Sequence, residues 1–240
     1  MKNILLFLLI VTFAYFKPLI AAPTYRTLIV PYEETFLENS HELLDKYAEL
    51  ISSFYGLAPA YAAMVLAHSR GVLAEKQLEE LFPGQKLNSF ILAEYNRYLA
   101  EKLPTMHLDT AAGEFLTELK KRGGRVFVYS TTNPKLAAED IERRKLPVQL
   151  IAPPAEPMDE YPPLERTLSR YSLPAVTVLV LGGSQQECNR AGLAGLDFAL
   201  YHEMVEGRVD GSSPCRILYK VEKLRDLKAL MIKPAGSGAK

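Results

Sequence analysis

Thr27-Leu28-Ile29-Val30-Pro31-Tyr32-Glu33-Glu34-Thr35-Phe36-Leu37 is the stretch on which the fold turns. Its first four residues form a short, β-prone run that predicts a buried strand. Pro31 stops that strand, because a proline has no backbone N–H to give to a sheet. Past this stretch the period changes. From His41 to about Pro104, apolar residues recur at helical spacing, as in Leu43, Leu44, Tyr47, Leu50, Ile51 and Phe54, with breaks at Gly56 and Pro59. Further helices are expected over Tyr61–His68 and Ala74–Phe82, the latter closed by Pro83-Gly84. The last of the block carries Leu87, Ile91, Tyr95, Tyr98 and Leu99 on one face. Aromatic and methionine residues on such faces serve packing.

Beyond Asp109 the texture alternates. A helix over Thr110–Arg122 ends at Gly123-Gly124 and gives way to a strand, Arg125–Tyr129. Pro134 opens a helix to Arg144, Val148–Ala152 is a strand, and a proline-rich loop runs from Pro153 to Pro163. Next come a helix over Leu164–Tyr171, the most apolar strand at Val176–Leu181, and a helix over Gln185–Ala194. Strands at Phe198–Tyr201 and Arg216–Lys220 and a helix at Val221–Met231 complete the series. Strands separated by helices imply a parallel sheet with helices on both faces. The expected fold is therefore α/β, a parallel Rossmann-like sheet with an inserted four-helix cap. Residues 24–40 and 106–232 would form the core, 41–105 the cap and 233–240 a flexible tail. Such sheets work at the C-terminal ends of their strands, which directs attention to Pro31–Thr35, Ser130–Asn133 and Gly182–Glu187.

Composition narrows the function classes. In 240 residues, 28 basic and 28 acidic side chains cancel, and no basic stripe interleaves with aromatics, which argues against nucleic acid. Hydrophobic residues at 48% and charged residues at 23% are the proportions of a globular protein. Lys2, the apolar run Ile4–Phe16, Lys17-Pro18 and the small pair Ala21-Ala22 describe an export signal over residues 1–22. The rival is an uncleaved anchor over residues 4–22, which approaches the ~20 residues that span a bilayer. Either places the protein outside the cytoplasm, periplasmic or secreted, with membrane contact only through that segment. Cys188 and Cys215 could pair in an oxidising compartment. With no CxxC spacing and with His41, His68, His107 and His202 scattered, no metal site is expected.

Four stretches then fall in a recognisable order. They are Pro31-Tyr32-Glu33-Glu34-Thr35, Gly123-Gly124-Arg125-Val126-Phe127-Val128-Tyr129-Ser130, Tyr161-Pro162-Pro163, and Gly182-Gly183-Ser184-Gln185-Gln186-Glu187 with Ala191-Gly192 after it. From about Thr24 to Met231 the chain resembles the haloacid dehalogenase-like (HAD) superfamily, whose C1 cap is a helical insertion at this place. The resemblance implies a first motif Asp-x-Asp-Gly-Thr, in which Pro31 stands for the nucleophile and Glu33 for the general acid/base. Ser130 matches the phosphate-binding hydroxyl, Tyr161 stands for the lysine, and Gly183 for a metal-binding aspartate. Thr35, Ser130, Ser184 and Glu187 are the expected lining of a ligand pocket. Their plain alternative is that the hydroxyls close turns and Glu187 sits at a helix start.

The family's reaction needs an attacking carboxylate, an acid/base, magnesium and a cation. Pro31, Tyr161 and Gly183 remove three of these parts, so magnesium, though implied by the resemblance, is not expected as a cofactor. The leading expectation is an exported HAD-like protein without the usual phosphatase reaction, serving a small-molecule or protein partner. The alternative is a divergent hydrolase using Glu33, Ser130 and Glu187 on a small substrate, phosphorylated or not. A third reading is a membrane-tethered interaction module.

Overall fold

The computed structural model describes residues 25–69, 71–153, 161–201 and 214–231. The expected export or anchor segment, the tail over residues 233–240, the middle of the proline-rich loop and His202 lie outside them.

Strand β1 (Thr27–Pro31) lies inside a six-stranded sheet with β2 (Arg125–Tyr129), β3 (Gln149–Leu150), β4 (Val178–Gly182), β5 (Asp197–Tyr201) and β6 (Ile217–Val221). The order is β3-β2-β1-β4-β5-β6, and every pairing is parallel. All five residues of β1 are buried, as a strand covered on both faces requires. Side chains alternate between two hydrophobic clusters. Leu28, Val30, Val126, Val128, Leu179 and Leu181 belong to one, and Ile29, Phe127, Tyr129, Val178, Val180 and Phe198 to the other. Leu28, Ile29 and Val30 have no exposed surface, and burial of each contributes roughly 2 kcal/mol.

A short helix, α1 (Tyr32–Phe36), starts directly after Pro31. Sequence periodicity does not announce it, because five residues are too few to show a period. Four helices then form the insertion: α2 (His41–Tyr55), α3 (Pro59–His68), α4 (Ala74–Leu81) and α5 (Leu87–Lys102). Helix α2 stops at Gly56, whose left-handed φ of 67° suits glycine. The chain leaves and re-enters the core through a two-stranded hinge. Leu37 bridges Leu108, the Glu38 N–H donates to the His107 carbonyl at 3.0 Å, and the Asp109 N–H donates to that of Phe36 at 2.9 Å. The core helices are α6 (Thr110–Lys121), α7 (Pro134–Arg144), α8 (Leu164–Arg170), α9 (Gln185–Leu193) and α10 (Lys228–Met231). Asp109 caps α6 through the Ala112 N–H, and the Asn133 side chain caps α7 just before Pro134.

Several boundaries differ from expectation, including the strand expected from Val176, which starts at Val178 after a 3-10 turn over Ala175–Thr177. The strand expected over Val148–Ala152 keeps only two ladder residues, Gln149 and Leu150, at one edge of the sheet. The helix expected from Val221 starts later, as a 3-10 turn at Leu224–Leu227 leading into α10. Val221 instead closes β6, paired with Tyr201 and buried, and tertiary pairing overrides helical spacing there. Cys188 on α9 and Cys215 before β6 form a disulfide with Cα atoms 4.9 Å apart, which spacing alone left open. No helix among the described residues is long and apolar enough to cross a membrane.

Candidate functional site

The parallel sheet brings the C-terminal ends of β1, β2 and β4 side by side, and the cap covers them. Pro31 is the last residue of β1, buried and in register with Tyr129 of β2. It offers this position neither a functional side chain nor an N–H. Two residues on, Glu33 sits in α1 with 1% of its surface exposed. Its Oε1 accepts hydrogen bonds from the hydroxyls of Ser130 and of Thr132, the latter at 2.7 Å. Its Oε2 is buried without a partner. Burial pushes the carboxyl's pKa up, and the bonds from Ser130 and Thr132 oppose this without reversing it.

Beside Glu33 lies a cavity of about 40 Å³, bounded on the cap side by Tyr47, Gln77 and Tyr95 and on the core side by Thr131 and Thr132. Among the described residues, no lysine, arginine or histidine lines it. Room for a water is ~10–15 Å³ on this measure, so the space suits a few waters and no organic ligand.

Tyr161 reaches the same strand end from the loop before α8. Its hydroxyl accepts the Ser130 N–H at 3.0 Å, and its ring meets that of Tyr129 edge-on at 6.0 Å. Burial lifts the Tyr161 hydroxyl's pKa well above its usual value, so it stays a neutral phenol. A neutral hydroxyl therefore takes the amide that closes β2, and it brings no positive charge.

The end of β4 makes a second cluster. Ser184 caps α9, and Glu187 completes a capping box. Glu187 Oε2 accepts the Gly183 N–H at 2.8 Å, the Ser184 N–H at 2.9 Å and the Ser184 hydroxyl at 2.9 Å. Its Oε1 accepts the Tyr129 hydroxyl. Four donors saturate a carboxylate. Magnesium needs several free oxygen ligands. The one acid of this motif is fully engaged, Gly183 has no side chain, and among the described residues no group of three or more His, Cys, Asp or Glu could hold a metal. The residues present do not fit the ion.

The cap closes directly on both clusters. The Ala74 N–H, at the start of α4, donates to the Thr131 carbonyl at 2.9 Å. Asn133 Nδ2 donates to Asn96 Oδ1 of α5 at 2.8 Å. Arg190 donates to the Gly71 carbonyl of the cap at 2.6 Å and to the Tyr161 carbonyl. Gly71, at φ 82°, lies so near Glu187 that a Cβ there would come within 2.4 Å of its Cγ.

Of the residues singled out from sequence, Pro31, Glu33, Ser130 and Tyr161 meet in one cluster. Gly183, Ser184 and Glu187 form its neighbour, with Tyr129 between them. Thr35 goes elsewhere. It lines a groove with Leu37, Glu38 and Asp109, and its buried hydroxyl has no partner. Sequence reasoning pointed to Ser130–Asn133 without giving Thr132 a role, and it missed Tyr129, Gly71 and Arg190. Thr132 lies two residues past Ser130 and was within reach of the motif; the other three act across long sequence separations that no spacing reveals.

No family model matches the sequence, and no curated protein matches it significantly. Solved structures do match in shape. A haloacid dehalogenase-like family hydrolase from Streptococcus pneumoniae aligns at TM-score 0.65 and 12% identity, over 85% of this chain and 97% of that one. CbbY from Rhodobacter sphaeroides, solved in complex with phosphate, aligns at TM-score 0.64 and 14% identity, over 85% and 96%. The HAD-hydrolase YfnB from Bacillus subtilis, solved bound to magnesium, aligns at TM-score 0.63 and 15% identity, over 88% and 100%. The chain thus has the haloacid dehalogenase-like fold, an α/β core with a helical cap. At these identities the likeness concerns the fold alone.

Proposed function

We propose that this is an exported HAD-like protein that does not catalyse magnesium-dependent phosphoryl transfer and instead binds a small-molecule or protein partner. The carrying observation is Pro31, which closes the central strand where attack on phosphorus would need a carboxylate. Support comes from its surroundings. The Tyr161 hydroxyl meets the Ser130 amide, and the Glu187 carboxylate is saturated by its own helix start together with the Tyr129 hydroxyl. The Cys188–Cys215 disulfide supports an oxidising compartment, and with it export by the N-terminal apolar segment. Neither the balanced charge nor the cleft favours nucleic acid.

Purified protein with magnesium and a panel of phosphomonoesters should show no turnover above buffer. Turnover that disappears in Pro31→Ala would overturn the proposal. Mass spectrometry of the exported protein should find a new N-terminus near Ala22, or the intact segment in membranes if it is kept as an anchor.

One observation favours a second reading, a divergent hydrolase. Glu33 is a buried carboxyl with raised pKa, hydrogen-bonded to two hydroxyls, as a general acid would be. On that reading any measured hydrolysis is lost in Glu33→Gln, whereas an indifferent variant counts against it.

A further inference from the structure

We infer that Glu33 is a built-in plug whose carboxyl fixes the loop Ser130–Asn133 and thereby holds the cap shut over the strand ends. This autoinhibitory contact goes beyond the proposed function, and it stands whether or not the cleft turns anything over.

The loop alternates in what it touches. Ser130 and Thr132 both turn their hydroxyls onto one oxygen of Glu33. The Thr132 N–H also lies 3.3 Å from the Ser130 hydroxyl, which ties the two residues to each other. The residues between and after them serve the cap. The Thr131 carbonyl takes the N–H of Ala74, the first residue of α4. A helix's first N–H groups have no partner inside the helix, so this bond satisfies one of them. The Asn133 side chain divides its atoms between core and cap, with Oδ1 on the amides of Lys135 and Leu136 and Nδ2 on Asn96. One carboxyl thus sets the position of two cap-docking groups.

The space behind the contact agrees with a plug. The cavity beside Glu33 holds about 40 Å³, whereas pockets for small organic ligands run to roughly 300–1,000 Å³. Any such ligand must lift the cap, and lifting it breaks the Ala74–Thr131 and Asn96–Asn133 bonds. Among the described residues, the cap presents Tyr47, Gln77 and Tyr95 to Glu33, none of them charged. The unpartnered Oε2 leaves one carboxyl oxygen available to whatever enters when the cap rises.

The test is amide hydrogen exchange on the full chain, comparing the cap contact with the sheet. Ala74 reports the cap, and the β1–β2 ladder amides report global stability. Glu33→Ala should reduce protection at Ala74 by about tenfold or more, the scale of losing two hydrogen bonds, while the ladder amides keep theirs. Glu33→Gln keeps an acceptor for both hydroxyls and should protect Ala74 as the wild type does. If Glu33→Ala does not fold, Thr132→Val decides, because it keeps Glu33 and Ser130 and should still loosen Ala74 by about threefold. Unchanged Ala74 protection in the variant that folds would overturn the inference, as would a loss shared equally by the ladder amides. The readout is independent of hydrolysis, so an active enzyme with a Glu33-held cap would refute the proposed function alone.

Discussion

Among the described residues no cation lines the cavity beside Glu33, and burial raises its pKa when the chain folds. Below the ordinary carboxyl value the group is neutral in both states and the fold bears no penalty. As pH rises past that value, the unfolded chain gives up the proton while the folded one holds it. Stability is therefore lost up to the folded pKa. Wild-type thermal midpoints should fall relative to those of Glu33→Gln as pH rises above the ordinary carboxyl range, with the two converging at acid pH. Tyr161 makes a second prediction at this scale. Tyr161→Phe strips the buried Ser130 N–H of its acceptor and should cost about 1–3 kcal/mol in urea unfolding. The identity of these residues was legible from sequence, because motif order marked positions 31, 33, 130, 161 and 183. Their partnerships were not, since the Glu33–Ser130 bond spans 97 positions and the Tyr129–Glu187 bond spans 58.

The cap and its hinge are held from the core side by a network that only packing creates. Asp140 of α7 is buried, accepts the Tyr32 hydroxyl at 2.6 Å, and pairs with Arg143 and with Arg144. Arg144 also donates to the Leu103 and Met106 carbonyls at 2.8 Å, fastening the chain where it returns from the cap. The same side chain thus neutralises a buried acid and satisfies two carbonyls at a helix end. Arg144→Met keeps most of the apolar stem but leaves Asp140 short of one partner. A loss of about 2–4 kcal/mol in urea unfolding is expected, below the full penalty for breaking a buried pair because Arg143 and Tyr32 remain. Inside the cap, Tyr47 and Tyr95 stack at 4.5 Å, and the Tyr47 hydroxyl donates to the Ala74 carbonyl. Helical spacing placed both tyrosines on packing faces, and that is what they do.

At the scale of the molecule, the disulfide joins α9 to the approach of β6 across 27 positions. Closing a loop of that length removes unfolded-state entropy worth about 3–4 kcal/mol. A reductant, or the double change Cys188→Ser with Cys215→Ser, should lower the unfolding midpoint by that amount in free energy. The two treatments should agree within error. Because α9 carries Glu187 and Arg190, the bridge also steadies the helix that meets the cap.

The sequence by itself determined the layered plan. Short apolar, β-prone runs, helical periodicity and glycine or proline stops are local properties, and they were enough to place the strands, the inserted helices and the strand-end positions along the chain. It also determined what is missing at Pro31, Tyr161 and Gly183, since the absence of a functional group is a property of the residue alone. Only the tertiary structure decided what fills those places. The Glu33 carboxyl lies on the hydroxyls of Ser130 and Thr132, a tyrosine hydroxyl lies on a strand-end amide, and Glu187 is saturated by its own helix start and the Tyr129 hydroxyl. Buried polar groups must find partners, and which partner each one finds depends on distances that exist only once the sheet has formed and the cap has closed.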